Sequence, residues 1–67
     1  MTKTRIIMQQ VAGHVDYPGE HSVEEIKAFL APTHPSINSC SVTEREFDEN
    51  GIHVIEYEFT EVTATKG

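Results

Sequence analysis

Four histidines, one cysteine and eleven carboxylates are the side chains of this 67-residue chain with the most chemistry in them. His14, His21, His34 and His53 carry metal-ligand nitrogens. None stands in an H-x-H or i, i+4 pair, and none has a neighbouring cysteine. The expectation is four surface or loop histidines and no metal site. A catalytic thiol needs an activating histidine or a helix N-terminus. Cys40 stands between Ser39 and Ser41 in a stretch that reads as strand, so a small buried hydrophobe is the expected role. A lone cysteine also forms neither an internal disulfide nor a cysteine zinc cage.

Seven of the eleven acids, Glu44, Glu46, Asp48, Glu49, Glu56, Glu58 and Glu61, fall in one short region. Paired carboxylates can work as general acid and base. Here they alternate with apolar residues, which is the pattern of a solvated strand face. Glu56 and Glu58 are its candidate partner-binding residues, on an acidic face that steers a basic partner and blunts edge-to-edge aggregation. The remaining candidate is Gly67. A glycine has no Cβ, so its carboxyl group admits close approach in a narrow channel. The small-residue stretch Thr63-Ala64-Thr65-Lys66-Gly67 offers a flexible arm, and the six residues from Val62 to Gly67 reach about 20 Å when extended.

Composition narrows the classes. Five Lys+Arg against 11 Asp+Glu leave a formal charge of −6, a poor fit to phosphate backbones. No nucleic-acid partner is expected. No run approaches the eighteen or so apolar residues of a membrane span. The apolar run after Lys3 and Arg5 is only Ile6-Ile7-Met8, too short for a secretory signal, so no membrane association and a cytoplasmic location are expected. A domain below about 70 residues has a small core and little room for a catalytic pocket. With no phosphate-binding glycine loop either, a binding or carrier module with no cofactor of its own is favoured over an enzyme.

The elements that must position these residues come next. Arg5–Val11 reads as a first strand, Ala12-Gly13 as a reversal, and His14–Tyr17 as a short second strand stopped by Pro18-Gly19. Ser22-Val23-Glu24-Glu25 is a capping box: the Ser22 hydroxyl accepts from the Glu25 N–H, and the Glu25 carboxylate accepts from the Ser22 N–H. Val23, Ile26, Phe29 and Leu30 follow as one apolar stripe, and Pro32 and Pro35 end a helix of about Val23 to Ala31. So short a helix must dock on the strands.

Ile37–Asp48 and Ile52–Val62 read as a long hairpin joined through Asn50-Gly51, the pair suited to a type I′ turn. A two-residue loop sets Glu49 opposite Ile52, Phe47 opposite Val54, Arg45 opposite Glu56 and Val42 opposite Phe59. Ile55, Tyr57 and Phe59 share one face, whereas Ile52 and Val54 lie on the other. Val42 and Phe47 differ in the same way. A bulge or twisted tip near Arg45–Glu46 is the favoured account, with a small apolar cluster at the hairpin tip as the other.

The order is therefore β-β-α-β-β: an α+β chain, one helix packed on a mixed four-stranded sheet, as in the β-grasp or ubiquitin-like fold. Residues 1–62 are expected to form the domain and residues 63–67 a flexible tail. One sheet face stays open to solvent or a partner.

Order and tail together resemble a prokaryotic ubiquitin-like family, that of PRTRC system protein C. The residues that carry the resemblance span nearly the whole chain: Gly13, Pro18, Ser22-Val23-Glu24-Glu25-Ile26, His34-Pro35-Ser36-Ile37, Ile55-Glu56-Tyr57-Glu58-Phe59 and Thr65-Lys66-Gly67. The resemblance implies a β-grasp fold and a ubiquitin-like modifier or carrier. Its partners would be a ThiF-type adenylating enzyme, which activates the Gly67 carboxylate, and a JAB-type metalloprotease. A non-covalent β-grasp interaction module is the alternative, and a sulfur carrier the third reading.

Overall fold

The computed structural model of the chain describes residues 1–8 and 13–61. The elements are β1 (Thr2–Met8), β2 (Val15–Pro18), α1 (Val23–Leu30), a 3₁₀ turn (Pro35–Ser39), β3 (Cys40–Glu49) and β4 (Ile52–Glu61). The sheet runs β2-β1-β4-β3. Its central pair, β1 and β4, is parallel, and both outer pairs are antiparallel. With one helix packed on this mixed sheet, the arrangement is α+β and β-grasp-like. No helix among the described residues is long and apolar enough to cross a membrane.

The local signals work as their chemistry requires. Ser22 Oγ accepts from the Glu25 N–H at 3.2 Å, and Glu25 Oε1 accepts from the Ser22 N–H at 2.9 Å. Two N–H groups that the first helical turn leaves without an intrahelical partner are thus satisfied. Asn50 and Gly51 have φ of 54° and 80°, the left-handed pair that a type I′ turn needs. The hairpin register is the one expected, with Glu49↔Ile52, Phe47↔Val54, Arg45↔Glu56 and Val42↔Phe59.

The core forms between α1 and one sheet face, from Ile6, Met8, Ile26, Ile37, Ile55, Tyr57 and Phe59. Ile26 is the one fully buried residue of α1, and burying such a side chain stabilises by about 2–3 kcal/mol. At 100° per residue Val23 and Leu30 flank Ile26 on one side and are half-buried. Phe29 flanks it on the other and stays 62% exposed. It was expected in the docked stripe. Instead it lies at the margin, edge-on to Tyr17 of β2 with ring centroids 5.2 Å apart.

Several boundaries differ from the sequence expectation. β1 begins at Thr2, not Arg5, because its pairing with β4 reaches back to Thr2↔His53. β2 includes Pro18, which stands opposite Lys3 at the sheet margin, where a missing amide costs nothing. Ile37–Ser39 is not strand. Pro35 starts a 3₁₀ turn, and the Ile37 N–H bonds the His34 carbonyl at 3.0 Å, directing the Ile37 side chain into the core. The helix ends at Leu30 with Ala31 as its cap. Val11, Ala12 and Val62 lie outside the described residues.

No bulge interrupts the second hairpin; its register is continuous from Cys40↔Glu61 to Glu49↔Ile52. The mixed apolar parity has another cause. β4 is central, flanked by β1 and β3, and both its faces are covered. Val54, Ile55, Glu56 and Tyr57 are buried in succession. Ile55 and Tyr57 face the helix, while Val54 shares the opposite face with Phe47, its cross-strand partner.

Candidate functional site

The face of the sheet away from α1 is the candidate docking surface, and its residues follow from register. Lys3 and Arg5 of β1 lie beside Val54 and Glu56 of β4, which lie beside Phe47 and Arg45 of β3. Pro18 and Asp16 of β2 complete these rows. The side chains close over the sheet themselves. Arg5 Nε donates to Asp16 Oδ1 at 3.0 Å, and Arg5 Nη1 donates to Glu49 Oε1 at 3.1 Å. Lys3 Nζ reaches Asp16 Oδ2 at 2.9 Å. Arg45 Nε donates to Glu56 Oε1 at 2.8 Å. The Arg5 and Arg45 guanidiniums lie 5.8 and 5.5 Å from the Phe47 ring centroid, a double cation–π contact.

These pairs set the charge states. The Arg5 side chain is 11% exposed, and hydrogen bonds to Asp16 and then Glu49 push its pKa further above its ordinary value. The hydrogen bond from Arg5 is the largest influence on Asp16. Desolvation opposes it, Lys3 adds to it, and the net effect lowers the Asp16 pKa to about 2.

The two glutamates singled out from sequence differ here. Glu56 is buried and paired with Arg45, whereas Glu58 is exposed. The seven acids of the hairpin also divide between the faces. Glu44, Glu46 and Asp48 stand opposite Tyr57, Ile55 and His53, on the helix side. There the Tyr57 hydroxyl has its pKa raised, first by burial, then by Glu44, Glu20, Glu46 and Glu24. The acidic surface of the hairpin therefore runs along its helix side, and the open face is a lattice of paired charges with Glu58 exposed beside it.

The histidines are dispersed. His14 Nε2 lies 3.8 Å from Asp16. His21 Nε2 donates to the Pro18 carbonyl at 2.9 Å. His53 lies 3.3 Å from Asp48 and 3.6 Å from Glu46. Among the described residues no three His, Cys, Asp or Glu side chains converge as a metal ion requires. Cys40 opens β3, half-buried against the core, its thiol 3.5 Å from the Ser36 carbonyl. A shallow groove of about 150 Å³ lies between β2 and α1, lined by Tyr17, His21, Glu25, Ile26 and Phe29. Thr65, Lys66 and Gly67 lie outside the described residues.

Two residues that organise these surfaces escaped the sequence reading. Arg5 is one; its signal was the Lys3–Arg5 alternation on a strand whose other parity, Ile6 and Met8, is apolar. Thr4 is the other. It is fully buried, donates to the Gly19 carbonyl at 2.9 Å and accepts from the His21 N–H at 3.1 Å. It thereby fixes the β2–α1 connection, where Gly19 takes φ of 84°. No sequence pattern marks it.

No family model, curated protein or solved structure matches the chain.

Proposed function

We propose that this chain is a ubiquitin-like modifier or carrier of the PRTRC system protein C kind, a prokaryotic cytoplasmic protein whose Gly67 carboxylate is activated by a ThiF-type adenylating enzyme. The observation that carries the reading is the sheet order β2-β1-β4-β3 with a parallel central pair and one helix, the β-grasp arrangement. In it the last strand, β4, ends at Glu61, six residues before Gly67 in the sequence. Extended, six residues span about 20 Å, enough to carry a carboxylate into a partner's active site while the domain stays outside.

The chemistry belongs to the partner. A carboxylate oxygen of Gly67 attacks the α-phosphorus of ATP, pyrophosphate leaves with magnesium, and an acyl-adenylate remains. A thiol or amine then displaces AMP. A JAB-type metalloprotease would cleave the resulting bond. In this reading the chain is a substrate and not itself an enzyme, and needs no cofactor of its own.

The test is intact-mass analysis. Protein isolated from its own cells should end at Gly67. Incubated with a ThiF-type enzyme, ATP and magnesium, it should gain an adenylate, thioester or conjugate, and deletion of Gly67 should abolish the product. Full-length chain that stays unmodified would overturn the reading.

A non-covalent β-grasp interaction module is the second reading, and the ordered charged face with exposed Glu58 favours it. It requires that Gly67 deletion be silent and that charge reversal at Glu56 and Glu58 abolish a partner pull-down. A sulfur carrier, the third reading, would show a thiocarboxylate mass on the purified protein.

A further inference from the structure

Among the described residues both outer strands of the sheet have a free edge, and the two are unlike. β2 is four residues long and ends in Pro18, which has no amide to donate. β3 is ten residues long, contains no proline and, among the described residues, pairs only with β4, in unbroken register. A row of unpaired backbone groups on a regular strand is a template for another strand.

The turn dictates which groups those are. In a two-residue type I′ hairpin the flanking pair, Glu49 and Ile52, exchanges both backbone hydrogen bonds, and bonded and non-bonded pairs alternate from there. Thr43, Arg45, Phe47 and Glu49 therefore turn their backbone groups toward β4. Val42, Glu44, Glu46 and Asp48 turn theirs outward. These four also share the helix-side face, opposite Phe59, Tyr57, Ile55 and His53. An incoming strand would bond to the backbone of Glu44, Glu46 and Asp48, and its side chains on that face would lie beside three carboxylates.

The charge pattern selects the occupant. A second copy pairing edge to edge about a two-fold axis sets helix-side face against helix-side face. Glu44, Glu46 and Asp48 would then oppose one another in every central register, and directly opposed like charges destabilise. A strand with lysine or arginine at alternate positions meets the same carboxylates as opposite charges. Its repeat of about 6.7 Å is the repeat of Glu44, Glu46 and Asp48.

We infer that the free edge of β3 is a docking site for an extended basic polypeptide segment, bound by strand addition with alternate lysine or arginine side chains against Glu44, Glu46 and Asp48. Backbone hydrogen bonds hold the segment, and the carboxylates read its charge. The site does not depend on Gly67 and stands apart from any activation of that residue.

The probe is the capped peptide Lys-Thr-Lys-Val-Lys-Thr-Lys, with two controls: the same composition with its lysines in one block, and the parent sequence N-methylated at alternate residues. The full chain, labelled with nitrogen-15, is titrated with each. The parent peptide should slow amide exchange at Val42, Glu44, Glu46 and Asp48, and leave Thr43, Arg45 and Phe47 unchanged. Both controls, and the Glu44→Lys, Glu46→Lys double variant, should bind at least about tenfold more weakly. The Glu44→Gln, Glu46→Gln variant keeps side-chain size and should weaken binding in the same direction, which guards against misfolding of the charge-reversed protein. Protection elsewhere, no binding, or equal binding by the N-methylated peptide would overturn strand addition. A dimer in sedimentation that protects the same amides without peptide would assign the edge to a second copy instead.

Discussion

Arg5 places Nη1 3.1 Å from Oε1 of Glu49, so that one side chain of β1 passes over β4 and reaches the far end of β3. Two strands that share no backbone hydrogen bonds are joined through it. The same guanidinium holds Asp16 of β2, and one residue thus touches three of the four strands.

Replacing Arg5 by Ala should therefore destabilise more than loss of an ordinary surface ion pair, which contributes about 0–1 kcal/mol. The side chain is 11% exposed and makes hydrogen bonds to two carboxylates. The expected loss is about 1–3 kcal/mol in urea unfolding. Lysine keeps the charge but lacks the planar fork, so Arg5→Lys should restore only part of it.

Asp16 ties stability to acid. Its carboxyl is held at about 2 in the folded chain against an ordinary 3.8, chiefly by the hydrogen bond from Arg5. The unfolded chain binds this proton first as pH falls. The contribution is complete above pH 4 and is lost as pH falls from about 4 to about 2. Urea midpoints measured across that window should decline, and Asp16→Asn should remove part of the decline. An unchanged slope in the variant would show that Asp16 is not the group responsible.

Ser22→Ala removes the hydroxyl that accepts from the Glu25 N–H and should cost about 1 kcal/mol. Denaturant melts with no loss would refute the cap. Ser22→Asp keeps an acceptor and should stay near the parent.

Thr4→Val keeps the shape of the side chain and removes its hydroxyl. The His21 N–H and the Gly19 carbonyl then each lose a partner. Leaving such groups unmet costs about 1–3 kcal/mol. Thr4→Ser retains the hydroxyl and should lose less, and amide exchange at His21 should speed up in the valine variant alone.

Much of this molecule was legible from local chemistry. The capping box, the Asn50-Gly51 turn and the hairpin register depend on residues a few positions apart, whose geometry the backbone dictates. The order β-β-α-β-β followed from them. The 3₁₀ turn at Pro35 was missed because Ile37 fits a strand and a buried turn equally well by type.

What a single chain of letters determined here is which segments extend, which coil and where they reverse, since those choices are settled by neighbours in sequence. That β1 lies beside β4 was decided only in three dimensions. The antiparallel pairing of β1 with β2 sets Arg5 beside Asp16, while its parallel pairing with β4 buries β4 on both faces, brings Arg5 within reach of Glu49 and leaves β3, with Glu44, Glu46 and Asp48, at the margin of the sheet. Those relationships join residues up to 51 positions apart. They arise because burying one apolar sheet face against a single helix leaves the charged side chains of the other face to find partners among themselves.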